Sequence, residues 1–168
     1  MIPTRPPLLY DQFSISPRTV QIRACIGRTM DVHGMEDEEW DELQRNLKAT
    51  IPVYDRINRF ATLGQVSRWR GKVRKMLPEG RVLEIGCGPG SFAEELIGRD
   101  LVCLDPIPEM LVTAEERVNF ARASRGEEPA QFVKGTAENL PFEDNSLQAV
   151  SCVYLFHELP RTVREKVL

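Results

Sequence analysis

From residue 81 onward, short apolar runs alternate with stretches whose apolar residues recur at helical spacing. RVLEI (81–85), LVCLD (101–105), QFVKG (131–135) and LQAVSCVYL (147–155) read as buried strands. SFAEELI (91–97) and PEMLVTAEERVNFARA (108–123) read as the helices between them. Strands that are apolar almost throughout, alternating with amphipathic helices, predict an α/β fold: a parallel sheet with helices on both faces. Upstream, Trp40, Leu43 and Leu47 share one face of a predicted helix over 35–49. A second helix is predicted over Pro52–Thr62, ended by Gly64. A third covers VSRWRGKVRKML, with Val66, Trp69, Val73, Met76 and Leu77 on one side and Pro78 and Gly80 as its stop. Residues 1–34 carry no convincing periodicity. The predicted organisation is an N-terminal, partly helical extension (1–51) followed by one domain (52–168).

Composition narrows the class. The 168 residues suit a single domain with a real core. The net charge of −3 comes from interspersed acids and bases, which leaves no electrostatic footprint for nucleic acid. The basic RWRGKVRK stretch falls at helical spacing and reads as the charged outside of an amphipathic helix. The acidic run Glu36–Glu42 reads as a solvated helix face, and His33 as a surface residue. The longest apolar run, AVSCVYLF (149–156), is far too short to span a bilayer. The proline-rich start lacks the apolar core of a secretory signal. Cys25, Cys87, Cys103 and Cys152 are scattered singly, which fits reduced thiols in the cytoplasm better than disulfides or a metal site.

Two features carry chemistry. Glu84-Ile85-Gly86-Cys87-Gly88-Pro89-Gly90-Ser91 lies where the first strand turns toward a helix. Its glycines permit positive φ and a close backbone approach to a ligand, and the helix start that follows suits a carboxylate. Asp105 ends the next strand, where an acid can accept hydrogen bonds from both hydroxyls of a ribose. Together they point to an adenosine-containing cofactor. A nicotinamide or flavin domain calls for G-x-G-x-x-G, with glycine at 91; here Ser91 stands there and the glycines run G-x-G-x-G.

VLEIGCGPGSFAEEL, LVCLDPIPEML and FVKGTAENLPFEDNSLQAVSCVYLFHEL resemble three successive motifs of class I S-adenosylmethionine-dependent methyltransferases, in order and at the right strand ends. The likeness covers roughly residues 52 to 168 and is greatest to the type 11 group. YDRINRFATLGQVSRWR is similar to the opening of the ubiquinone/menaquinone C-methyltransferases. The resemblance implies a Rossmann-like sheet in the order 3-2-1-4 and S-adenosyl-L-methionine as cofactor. It implies that Glu84 faces the methionine amino group, with the backbone at Gly86, Cys87, Gly88 and Gly90 lining the donor. Asp105 would hold the ribose hydroxyls, and Pro106 and Met110 would pack near the adenine. The turn Thr136-Ala137-Glu138 would border the adenine edge, although many relatives carry aspartate or asparagine where Thr136 stands. Tyr54 either closes over the site from its helix or is a partly buried aromatic.

Beyond the fourth strand the likeness to the quinone enzymes weakens: Phe156-His157-Glu158-Leu159-Pro160 replaces their arginine–asparagine pair. His157 lies at a strand's carboxyl end and either takes the proton released on methylation or caps the next helix. No metal-ligand constellation is present in the sequence. The implied activity is methyl transfer to a small-molecule acceptor, with quinone-like rings among the candidates. The alternatives are a non-catalytic module binding the cofactor or a partner, and a nucleotide-dependent oxidoreductase, against which Ser91 argues. The class I fold has seven strands and this sequence stops just inside RTVREKVL, so the expectation is an incomplete fold with AVSCVYLF as an unpaired edge. Such a chain would be poorly active alone, or completed by a second chain or a homo-oligomer.

Overall fold

The computed structural model describes residues 37–155 together with 159, 161, 164 and 165. Its centre is a four-stranded parallel sheet of Arg81–Ile85 (β1), Asp100–Asp105 (β2), Gln131–Lys134 (β3) and Ala149–Ser151 (β4), in the order β3-β2-β1-β4. β1 and β2 lie inside the sheet and are covered above and below, which is why Val82–Ile85 and Leu101–Asp105 are buried without a break. The chain steps from β1 outward to β3 and then returns to the other side of β1. That reversal opens a crevice at the carboxyl ends of the strands, where α/β sheets bind ligands.

Alternation along each strand sorts the core into two clusters. Val82, Leu101, Cys103 and Phe132 point to one face. There they meet Leu111, Ala114 and Val118 of the helix Pro108–Ala123, Val73 of the helix Val66–Met76, and Leu77 just after that helix. Leu83, Ile85, Val102, Leu104 and Val133 point to the other, covered among the described residues by Ala137, Leu140, Phe142, Leu147 and Leu155. Glu84 and Asp105 share the parity of Val82 and Cys103, so both acids rise on the helix-covered face.

Ahead of the sheet come α1 (Asp37–Thr50), a 3-10 turn (Ile51–Val53), α2 (Tyr54–Ala61) and α3 (Val66–Met76); Pro108–Ala123 is α4. In α1, Trp40, Leu43 and Leu47 are half-buried while Glu38, Glu39, Asp41 and Glu42 are exposed, as the periodicity predicts. Gly64, at φ +78, receives the turn that ends α2 by donating its N–H to the Arg59 carbonyl at 2.7 Å. The carbonyls ending α3 are taken up by Arg99, which donates to Arg74, Leu77 and Pro78. Arg122, itself buried in α4, donates to the Arg99 carbonyl at 3.1 Å and pairs with Glu127 at 3.4 Å, tying the helix to the start of β2.

Three elements depart from the sequence expectation. The inner face of α3 is Val66, Arg70 and Val73, continued by Leu77 just past its end; Trp69 is 42% exposed and Met76 83%, so both lie outside. The segment 91–97 forms only a 3-10 turn over Ala93–Glu95: Glu95 and Leu96 donate to the carbonyls three residues back, at Phe92 and Ala93, and the positive-φ Gly98 follows. It therefore presents no helix N-terminus to a carboxylate. The strand expected over 147–155 pairs for three residues only, and Tyr154 at φ +64 is incompatible with its continuation. In place of a long apolar edge, the described structure has a short one, on which Val150 is 49% exposed. Among the described residues no helix is long and apolar enough to cross a membrane. Residues 1–36, with Cys25, His33 and Glu36, lie outside the described residues, as do Phe156, His157, Glu158 and Pro160.

Candidate functional site

The turn leaving β1 is built on β2. Gly86 and Cys87 both donate their N–H to the Leu104 carbonyl, at 2.7 and 3.1 Å. Gly88 donates to Asp105 Oδ2 at 2.9 Å, and Ile107 donates to Asp105 Oδ1, also at 2.9 Å. The carboxylate of Asp105 thus clamps the first loop to the second and fixes its own rotamer. Each oxygen keeps a lone pair beyond the backbone bond. Burial raises the Asp105 pKa to about 6, against the two N–H bonds that favour the ionised form, so it is mostly charged at neutral pH.

The three glycines of the turn serve different ends. All lie at positive φ: +67 at Gly86, +52 at Gly88 and +79 at Gly90. A side chain at Gly86 would run into Leu155 at 2.9 Å. One at Gly90 would strike the α4 backbone at Ala114 Cα, again at 2.9 Å, so this glycine lets α4 sit close against the turn. Gly88 alone faces open space, with nothing within 4 Å of where a Cβ would be. Cys87 between them is buried against Cys103; their mutual hydrogen bond, then burial, holds its thiol well above the ordinary value, so it is no thiolate.

Glu84 is 1% exposed, and its Oε2 has no hydrogen-bond partner. Burial pushes its pKa from 4.5 to about 8; the positive charge of Arg70 opposes this and the negative charge of Asp105 adds to it. An acid buried with an orphaned oxygen at the carboxyl end of a central strand is costly to hold unless something cationic completes it.

Over these acids lies a polar cluster that the sequence reading missed. Arg70 of α3 donates Nη1 to the Ser91 carbonyl at 3.3 Å and lies 3.7 Å from Asp55 Oδ1. Arg117 of α4 donates to Ser91 Oγ at 2.6 Å and pairs with Asp55 Oδ2 at 2.8 Å. Ser91, where dinucleotide domains want glycine, is thus the buried anchor between α3 and α4. Asp55 pins the start of α2, and with it the half-buried Tyr54, across the turn. The basic residues of RWRGKVRK hid this: only their helical phase, with Arg70 four residues after buried Val66, signals an inward guanidinium.

The remaining expected positions lie around the β2 and β3 ends. Pro106 is half-buried beside Asp105, and Met110 is buried in the first turn of α4. Thr136-Ala137-Glu138 follows β3, whose last residue, Lys134, pairs in register with Asp105. Ala137 packs on the second core cluster, and Glu138 Oε1 is buried without a hydrogen-bond partner. Two concavities are present: one of about 650 Å³ along the outer side of α4, and one of about 390 Å³ that includes Ala137 and Glu138 and extends to Leu147. Neither includes Glu84, Gly88 or Asp105. His157 lies outside the described residues, so the structure places no base. Among the described residues no group of acids, cysteines and histidines could hold a metal ion.

A parallel 3-2-1-4 sheet with acids at the ends of its first two strands and a glycine turn between them defines a Rossmann-like nucleotide-binding domain. Residues 82–168 match the family described as a methyltransferase domain, and the chain belongs to that family. It is 31% identical over 130 residues to a demethylmenaquinone methyltransferase of Deinococcus radiodurans, covering 73% of this chain and 52% of that protein. It is 28% identical over 136 residues to a 2-phytyl-1,4-naphtoquinone methyltransferase of Trichormus variabilis, covering 74% and 58%. Among solved structures, the PH0226 protein of Pyrococcus horikoshii is similar at 25% identity and TM-score 0.55, over 69% of this chain and 50% of that one. The DhpI–SAH complex shares the fold at 19% identity and TM-score 0.59, over 76% and 59%. The chain spans about half the length of the curated relatives it matches.

Proposed function

We propose that this chain binds S-adenosyl-L-methionine across the ends of β1 and β2 and transfers its methyl group to a small, quinone-like acceptor. The observation that carries the reading is the orphaned, buried Glu84 Oε2 beside an open glycine at 88 and the clamped Asp105. These residues fit the cofactor: its α-ammonium would complete Glu84, its ribose diol would donate to the free lone pairs of Asp105, and its chain would pass over Gly88. Pro106 and Met110 would flank the adenine, with Thr136, Ala137 and Glu138 at its edge. The cofactor supplies an activated methyl on a sulfonium, attacked in line by a nucleophile. The chain's own residues need to orient both partners and exclude water. The cluster of Asp55, Arg70, Arg117 and Ser91 does the first by fixing α2 and α3 against the turn. The relatives' names support a quinone-like acceptor. His157 is the candidate base for the proton released at the acceptor. We place the activity in the cytoplasm, in keeping with the free, buried thiols of Cys87 and Cys103.

The test is methyl transfer from labelled S-adenosylmethionine to a panel of reduced naphthoquinones and benzoquinones lacking one ring methyl. Label recovered in the quinone ring supports the reading. Binding of the cofactor without transfer to any acceptor would leave the non-catalytic module, and binding of NAD instead would mean an oxidoreductase.

A further inference from the structure

We propose that Arg70 binds the carboxylate of the cofactor's amino-acid end, making with Glu84 a paired socket for a zwitterion; this rests on the function proposed above. Arg70 is only 7% exposed, and its Nε has no hydrogen-bond partner. Its one hydrogen bond, to the Ser91 carbonyl, is long at 3.3 Å, and Asp55 at 3.7 Å lies beyond hydrogen-bond reach. A guanidinium buried with an incomplete set of acceptors is costly, and a fold keeps one where a planar anion can be matched by its fork. Its charge acts directly on Glu84, which is itself short of a partner. A buried carboxyl and a buried guanidinium, each with an unpartnered polar atom beside the same glycine turn, match the ammonium and the carboxylate carried on one carbon. Glu84 takes the first and Arg70 the second, through charge-assisted hydrogen bonds. The bond to Ser91 then aims the guanidinium, and Asp55 limits its swing.

The experiment is calorimetric titration of the chain with two probes: S-adenosylhomocysteine, and its decarboxylated analogue, which keeps the amine and lacks the carboxylate. Wild type should bind the first roughly tenfold to a hundredfold more tightly, the range expected for a hydrogen bond to a charged group. Arg70→Met should erase that preference by weakening only S-adenosylhomocysteine, and Arg70→Lys should restore part of it. A purely structural arginine would weaken both probes alike, and that result overturns the inference. Equal binding of both probes by wild type overturns it as well, and needs no variant to fold. Failure of wild type to bind either probe removes the proposed function itself.

Discussion

Gly88 and Gly90 stand two residues apart in one turn, both at positive φ, yet the structure gives them opposite sensitivities. In Gly90→Ala the new Cβ would lie 2.9 Å from Ala114 Cα and 3.1 Å from both Ala114 Cβ and Val118 Cγ2. The nearest atom is helix backbone, so α4 has to move. Left-handed strain of ~1–2 kcal/mol adds to overpacking of ~1–3 kcal/mol, for a loss of roughly 2–5 kcal/mol, a large part of a typical domain's stability. In Gly88→Ala only the strain applies, since the Cβ meets nothing within 4 Å. The stiffer unfolded chain returns ~0.4–1 kcal/mol in both variants, leaving a net loss of roughly 0–1.6 kcal/mol at Gly88 and roughly 1–4.6 kcal/mol at Gly90, so the overpacking against α4 sets them apart. Urea unfolding followed by the fluorescence of Trp40 and Trp69 would measure both. At a slope of about 1–3 kcal/mol/M, the Gly90 variant should unfold at a midpoint lower by roughly 1 M or more. Titration with S-adenosylhomocysteine should reverse the ranking for Gly88 in a longer form: Gly88→Val should fold but bind poorly. Equal midpoints for the two alanine variants would refute the assignment of Gly90 to helix packing.

Three further outcomes follow. Glu84 and Asp105 both titrate higher in the folded chain than unfolded, so each stabilises the fold at low pH and loses that contribution as pH rises, Asp105 between 3.8 and about 6 and Glu84 between 4.5 and about 8. For Glu84 that range corresponds to roughly 5 kcal/mol; the unfolding midpoint of the unliganded chain should fall from pH 5 to 8, and Glu84→Gln should flatten the fall. Arg122→Ala removes a buried guanidinium that serves Arg99 and Glu127; it should cost about 2–4 kcal/mol in urea unfolding and leave cofactor affinity within twofold after correction for unfolded chain. His157→Ala should lower methyl-transfer turnover on the order of a hundredfold, with S-adenosylhomocysteine affinity unchanged by calorimetry; a loss of affinity would make the residue structural.

The sheet was legible where burial is two-sided. RVLEI and LVCLD have no alternation to hide behind; Asp105 stands out as an acid ending an apolar strand, whereas the role of Glu84, one residue inside its strand, comes from the family resemblance. Position alone did not separate the roles of the glycines: what Gly90 packs against is decided by Ala114 and Val118, more than twenty residues on. Arg70 was placed on the outside because its partners, Asp55 and Ser91, come from other elements, and local periodicity scores any arginine as solvent-facing. Trp69 and Met76 drew the predicted face one position aside for the same reason. The 3-10 turn at Ala93–Glu95 and the short β4 share a cause: apolar runs mark burial, whereas element length is set by backbone conformations at Gly98 and Tyr154 that hydrophobic patterning does not encode.

The central claim is that the ends of β1 and β2 hold an adenosyl amino acid through Asp105 and Glu84, and calorimetric titration of wild type and Asp105→Ala with S-adenosylhomocysteine tests it most directly. The account predicts saturable one-to-one binding to wild type. In the variant, affinity should fall by roughly tenfold to a hundredfold while the chain stays folded by circular dichroism. Unchanged affinity in a folded Asp105→Ala chain would contradict it, and with it the assignment of this crevice as the cofactor site.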